Sequence, residues 1–129
     1  PPTKGTARIA FSPGSPVFVQ AKINGIGPIT LILDTGADKT LISPAVLSRL
    51  GLAPETEPPI QLKGVTGTGY GRRAWVEGIE VGETKIGPLL IAVYEASIKG
   101  ADGLLGRDFL SHFKVTIDSK EKIVTLSSN

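Results

Sequence analysis

Cysteine and methionine are absent from this 129-residue chain, histidine occurs once, and aromatic residues make up only 5%. Without cysteine there is neither a disulfide nor a thiolate metal site. A zinc site or a Ser-His-Asp triad would rest on His112 alone. Charge of one sign is also lacking. Fourteen Lys and Arg stand against 12 Asp and Glu, a net charge of +2, and no basic run exceeds Arg72-Arg73. Nucleic acid is therefore not an expected partner. The longest purely apolar run, Leu89 to Val93, is about five residues, against the ~20 that span a bilayer. No membrane span and no signal peptide are expected in this chain. The start at Pro1 and the lack of methionine lead to the expectation of a processed or excised domain, with an upstream leader or anchor left open.

What is present in quantity is glycine, 16 residues, and proline, 10, spread along the whole length. That distribution implies many turns between short strands. The length suits one domain, expected over 1–129 with its core in 17–126. Val17 to Ile23 alternates loosely as a strand should, and Asn24-Gly25 is a strong hairpin signal. Ile29 to Leu33 reads as a strand buried on both faces, and Thr40 to Ile42 as another short strand. Pro44 to Leu50 reads as a helix, with Ser43 as N-cap, Pro44 at its first position and Gly51 closing it. Ala53 to Pro59 is a polar loop. Ile60 to Val65 and Ala74 to Val81 read as strands around a glycine-rich tip. Lys85 to Val93 and Leu104-Leu105 are further strands, Arg107 to Phe113 a second short helix, and Lys114 to Asp118 with Lys122 to Leu126 a hairpin. The halves resemble each other. Gly27-Pro28 leads into Ile29–Leu33, a loop and a helix, and Gly87-Pro88 leads into Leu89–Val93, a loop and a helix, with an offset of about 60 residues.

The chemistry is concentrated in Leu31-Ile32-Leu33-Asp34-Thr35-Gly36-Ala37-Asp38. A buried apolar strand runs directly into an aspartate, and burying a carboxylate is costly unless it is paired or hydrogen-bonded. Gly36 lets another backbone approach closely, and the Thr35 hydroxyl can tie a loop down. The second informative segment is Ala101-Asp102-Gly103-Leu104-Leu105-Gly106-Arg107-Asp108. There an arginine opens a helix and needs a carboxylate partner, for which Asp38 is the candidate.

Asp34-Thr35-Gly36-Ala37-Asp38 resembles the active-site signature of the retropepsins, the aspartic proteases of retroviruses, retroelements and some bacteria. Leu104-Leu105-Gly106-Arg107-Asp108 resembles their second signature, two apolar residues and a glycine followed by a short helix. The roughly 70-residue separation fits the family, and the glycine-rich stretch Gly64 to Gly71 falls where the family carries its flap. The resemblance covers roughly Val17 to Phe113. It implies an all-β, single-domain acid-protease closed β fold with one or two short helices. It also implies catalytic roles for Asp34, Thr35 and Gly36, and substrate contacts from Ala37, Asp38 and the flap tip Val65-Thr66-Gly67-Thr68. Leu104, Leu105, Gly106, Arg107 and Asp108 take structural roles, with Arg107 and Asp38 expected as a buried pair holding the catalytic loop to the helix. Leu33, Ile42, Val65 and Leu104 are candidate pocket residues, each as readily core. Retroviral members usually end in one strand just after the helix, and that strand helps make the dimer interface. This chain continues through a hairpin, which points to a cellular, bacterial-type member with its own dimer contacts.

Peptide hydrolysis by this class uses two carboxylates around one water, sharing one proton. It requires no metal and no cofactor. The sequence contains a single Asp-Thr-Gly. At the matching place in the second half stands Tyr94-Glu95-Ala96. The dyad is therefore expected from Asp34 of two chains in a C₂ homodimer acting on a polypeptide. The alternative is a catalytically silent module of the same fold used for binding or dimerisation. The intact Asp34, Thr35 and Gly36 argue against it. A phosphate-binding loop at Gly64 to Gly69 lacks the required Lys-Ser/Thr, since Tyr70-Gly71 follow. His112 reads as a partly exposed structural residue.

Overall fold

Asn24 and Gly25 both have positive φ, 53° and 76°, which is the backbone of a type I′ turn. They join β2 (Phe18–Ile23) to β3 (Ile26–Leu33), an antiparallel pair. The computed structural model describes residues 5–53, 60–64, 67–95 and 98–128. Within them lie twelve strands and two short helices. The remaining strands are β1 (Thr6–Ala10), β4 (Leu41–Ile42), β5 (Ile60–Gly64), β6 (Gly67–Val76), β7 (Ile79–Val81) and β8 (Thr84–Ile86). They continue with β9 (Leu89–Val93), β10 (Gly103–Leu105), β11 (Phe113–Asp118) and β12 (Ile123–Ser128). The helices are α1 (Pro44–Arg49) and α2 (Arg107–Leu110). The fold is the expected all-β one.

Nine strands form one sheet in the order β5-β6-β9-β4-β10-β3-β2-β7-β8, and three form a second in the order β1-β12-β11. The centre of the large sheet is where the two halves of the sequence interlock. β10 runs parallel to β3, with Leu104 beside Ile32 and Leu105 beside Leu33. β4 runs parallel to β9, with Leu41 beside Ala92 and Ile42 beside Val93. β4 and β10 then pair antiparallel to each other. Each half's central strand is thus held by the short strand of the other half. The Asp34 N–H donates to the Leu105 carbonyl at 2.9 Å, and the Tyr94 N–H donates to the Ile42 carbonyl at 3.0 Å. Asp34 and Tyr94 occupy equivalent places in the two halves.

The close approach at this centre explains Gly103. A Cβ there would come within 1.9 Å of the Leu41 carbonyl oxygen, so only glycine lets β4 and β10 meet. The core beneath the sheets gathers Val19, Ile23, Leu31, Ile42, Val76, Ile79, Ile91, Leu105, Phe109, Val124 and Leu126, all at most 2% exposed. Ile42 is therefore core and not a pocket wall. Ser43 caps α1 as expected, its Oγ accepting the Val46 N–H at 3.2 Å, and Gly51 follows with φ 73°. Among the described residues no helix is long and apolar enough to cross a membrane.

Several elements differ from the expectation. The segment Ala74 to Val81 is not one strand. It breaks at Glu77-Gly78, whose N–H groups both donate to Asn24 Oδ1, at 2.7 and 3.3 Å. The segment Lys85 to Val93 is likewise split, into β8 and β9 at Gly87-Pro88. The second helix is a single turn ending at Leu110, and Phe113 already belongs to β11. β3 is not buried on both faces, since Thr30, Ile32 and Leu33 are only half-buried. β1 was not foreseen. Its alternation of buried Ala7 and Ile9 with exposed neighbours is short and carried partly by alanine.

Candidate active site

Asp34 follows the last residue of β3 and enters a loop that runs to β4. Its main chain is fixed by the bond to Leu105, and its carbonyl accepts the Ala37 N–H at 3.2 Å. The side chain belongs to a residue only 9% exposed. Oδ1 accepts the Gly36 N–H at 2.9 Å. Oδ2 is buried and has no hydrogen-bond partner among the described residues of its own chain. An unpaired buried polar atom is costly and calls for an explanation. A Cβ on Gly36 would sit 3.3 Å from Oδ1, tight against the carboxylate. Thr35, Gly36 and Asp38 are exposed, while Ala37 is buried.

The loop is fastened to the start of α2 by a set of hydrogen bonds. The Arg107 N–H donates to the Ala37 carbonyl at 2.8 Å, and the Asp108 N–H to the Asp38 carbonyl at 3.2 Å. The Thr40 N–H donates to both oxygens of Asp108 at 2.9 Å, and the Thr40 hydroxyl to Asp108 Oδ1 at 2.7 Å. The same hydroxyl oxygen accepts the Gly106 N–H at 3.1 Å. Thr40 is fully buried. Gly106 must be glycine, because a Cβ would lie 2.6 Å from the Lys39 carbonyl and 2.9 Å from that of Ala37.

The ion pair of Arg107 with Asp38 is formed, but its burial is not as expected. Both side chains are largely exposed, 55% and 78%, so the pair is a surface contact of small energy. Asp108 and Thr40 hold the loop instead. Thr40 was missed as a site residue. Its only sequence signal is a hydroxyl at the entry to a buried strand, and its partner lies 68 residues away. A second anchor was also missed. Asp102 Oδ2 accepts the Thr30 N–H at 2.9 Å and Oδ1 pairs with Arg49 at 3.1 Å, tying the start of β10 to β3 and α1.

Leu104 and Leu105 are both buried. Leu104 packs with Ala37, Leu41 and Ala92 in a small core of its own, bordered by Ile32, Tyr94 and Ile98. Leu33 lies at the margin of the main core. The expected flap is the hairpin of β5 and β6, paired from Ile60 with Gly71 to Gly64 with Gly67. Its backbone includes Gly67 and Thr68, and its tip residues Val65 and Thr66 lie outside the described residues. His112 is exposed at the end of α2.

A buried carboxylate at a strand end, held by the N–H two residues on and locked to a second segment of the chain, is the layout of an aspartic protease half-site. The chain belongs to the aspartyl protease family, whose model matches residues 19–109. It is 30% identical over 127 residues to the Protein DNA-DAMAGE INDUCIBLE 1 of Arabidopsis thaliana, which covers 95% of this chain. The chain spans only 28% of that relative's length. In fold it matches a retropepsin-like aspartic protease from Rickettsia conorii with a TM-score of 0.73 at 18% identity, covering 99% of this chain and 94% of that one. It also matches the EIAV protease solved with the inhibitor HBY-793, with a TM-score of 0.56 at 24% identity, covering 80% of this chain and 92% of that one. Its fold is retropepsin-like.

Proposed function

We propose that this chain is an aspartic endopeptidase, active as a homodimer in which Asp34 of each copy supplies one of two facing carboxylates. The observation that carries the reading is Asp34 itself, buried at a strand end with Oδ1 anchored by Gly36 and Oδ2 unpartnered among the described residues of its chain. A catalytic carboxylate needs that combination of a fixed orientation and a free oxygen. Tyr94 at the equivalent place of the second half supports a second chain as the source of the second carboxylate.

Two carboxylates at close range share one proton. The ionised one takes a proton from a water held between them, and that water attacks the scissile carbonyl carbon. The protonated one donates to the carbonyl oxygen. The tetrahedral intermediate then collapses with proton transfer to the leaving amine nitrogen. No covalent enzyme intermediate forms. Thr35 would hydrogen-bond across to the other copy's loop. Gly36, Ala37 and Asp38 would meet the main chain of a substrate bound as an extended strand. The β5–β6 hairpin would close over it, with Val65, Thr66, Gly67 and Thr68 at the tip, excluding water.

The test is cleavage of an unfolded protein from acid to neutral pH, beside Asp34→Asn prepared identically. The expected result is a bell-shaped profile for the parent and no cleavage by the variant. Absence of cleavage by the parent, at concentrations where it is dimeric, would overturn the reading in favour of a binding or dimerisation module.

A further inference from the structure

A protease is defined further by the side chains it accepts, and the present inference rests on the reading of this chain as one. The charges around the catalytic loop are unequally matched. Asp38 pairs with Arg107 and Asp102 with Arg49, and Glu95 is likewise engaged. Lys39 differs from all of these. It is exposed, and its side chain takes part in no hydrogen bond or ion pair among the described residues. An unmatched cation therefore stands five residues after Asp34, on the loop that carries it.

The neighbours of Lys39 show which way it faces. Asp38 and Thr40, on either side of it, turn to α2, Asp38 to Arg107 and Thr40 to Asp108. The Ala37 and Asp38 carbonyls accept the first two N–H groups of that helix. The Lys39 carbonyl backs on to Gly106, where a Cβ would come within 2.6 Å of it. The space towards α2 is thus filled. Ala37 and Leu41, two residues before and after Lys39, enter the small core with Ala92 and Leu104. Alternation along the segment puts the Lys39 side chain on the side of Ala37 and Leu41. Its ammonium stands at the rim of an apolar floor, where a charge is screened less than in open water. A substrate strand lying along Gly36 to Asp38 would pass this rim, and a closing β5–β6 hairpin would remove further water from it.

We propose that Lys39 selects substrates carrying an acidic side chain, Asp or Glu, close to the bond that is cut. The ammonium would take the substrate carboxylate in a charge-assisted hydrogen bond. A Lys or Arg of the substrate in the same place would be repelled, so discrimination comes from attraction and rejection together. The two-fold axis that brings two Asp34 residues together also supplies two Lys39 residues, one on each side of the scissile bond. The preferred substrate is therefore acidic on both sides of the cut.

The test uses the full chain, at concentrations where it is dimeric, on a mixture of synthetic peptides of random sequence. The bonds cut are read by mass spectrometry for the parent, Lys39→Glu and Lys39→Gln. For the parent, Asp and Glu are expected to be enriched at least about threefold within about three residues of the cut, on both sides. Lys39→Glu should reverse the preference towards Lys and Arg, and Lys39→Gln, which introduces no new charge, should flatten it. A purely structural role for Lys39 would change the amount of cleavage and leave the profile as it was. The parent's enrichment should also shrink as salt is raised from about 0.1 M to about 1 M, where the screening length falls from about 10 Å to about 3 Å. Cleavage with no acidic enrichment, or with one profile for all three proteins, would overturn this inference and leave the protease reading standing. Enrichment on one side of the cut only would overturn the symmetric pair of lysines. No cleavage by the dimeric parent would overturn the protease reading, and this inference with it.

Discussion

The buried hydroxyl of Thr40 donates to Asp108 Oδ1 at 2.7 Å while accepting the Gly106 N–H at 3.1 Å. One side chain thereby joins the loop that follows Asp34 to the start of α2. Asp108 accepts from the main chain and the side chain of Thr40 and from the N–H of Phe109. Each of these bonds is charge-assisted. The exposed pair of Arg107 and Asp38 lies on the outside of the same junction. Geometry at Asp34 is therefore set from within, by a threonine and an aspartate, and only trimmed at the surface by the ion pair.

Removing the inner contact should cost far more than removing the outer one. Thr40→Val keeps the volume and deletes the hydroxyl, leaving the Gly106 N–H unpaired, for a loss of about 1–3 kcal/mol. Asp108→Ala strands two Thr40 donors, for a loss on the order of 2–4 kcal/mol. Arg107→Ala should cost at most about 1 kcal/mol, because solvent screens an exposed pair. Urea unfolding of the three variants checks the ranking. An Arg107→Ala loss as large as that of Asp108→Ala would refute the assignment of the anchor to Asp108.

Two glycines separate steric from conformational demand. A Cβ on Gly106 would collide with the backbone of Lys39 at 2.6 Å, and neither segment can move without displacing the Asp34 loop. Gly106→Ala should destabilise by about 3 kcal/mol or more, as overpacking against backbone does. Gly51 has φ 73° but open space around it. Gly51→Ala should cost only the left-handed backbone penalty, about 1–2 kcal/mol. Denaturant midpoints compared across the pair read out the difference directly, and equal losses would contradict it.

Asn24 joins two turns and should behave as a tertiary anchor. Its Oδ1 accepts the Glu77 N–H at 2.7 Å, and its own N–H donates to the Gly78 carbonyl at 3.0 Å. Asn24→Gly preserves the left-handed backbone while deleting the side-chain acceptor. A loss of about 1–3 kcal/mol is expected from the stranded donors, measured by thermal or urea unfolding. A neutral outcome would reduce Asn24 to an ordinary turn residue.

The parts of this architecture that were legible in the sequence are those encoded within a few residues. Asn24-Gly25 specifies its own hairpin, Ser43-Pro44 its own helix start, and Leu33-Asp34-Thr35-Gly36 a strand end with a fixed carboxylate. What could not be read depends on contacts between distant segments. The break at Glu77-Gly78 follows from Asn24, more than fifty residues earlier, while the local run from Ala74 to Val81 looks like one strand. Thr40 and Asp108 find each other only because β10 lies between β3 and β4. The burial of Arg107 and Asp38 was misjudged for the same reason. An arginine beside a buried strand reads as buried, and only the fold shows that the helix start turns it outward.

The sharpest consequence of a two-chain dyad is how an inactive copy behaves in a mixture. Asp34→Asn alters the carboxylate that accepts the Gly36 N–H but none of the bonds between the loop and α2, so the variant should fold and pair with the parent chain. Exchange at equal concentrations produces parent, mixed and variant dimers in the ratio one to two to one for an isologous pair. If each active site needs one Asp34 from each chain, only about one quarter of the dimers cleave. If each chain carried a complete site of its own, about half of the sites would remain active. Activity measured after re-equilibration from a dissociating denaturant, against parent chain treated identically at the same total chain concentration, distinguishes the two. A residual near one half would place the second catalytic group within the same chain. Tyr94, Asp102 and Asp108 could then be tested by substitution in turn, although Asp102 and Asp108 already hold backbone N–H groups. A residual near one quarter would establish that two Asp34 residues share one site, with the structure of a single chain supplying half of it.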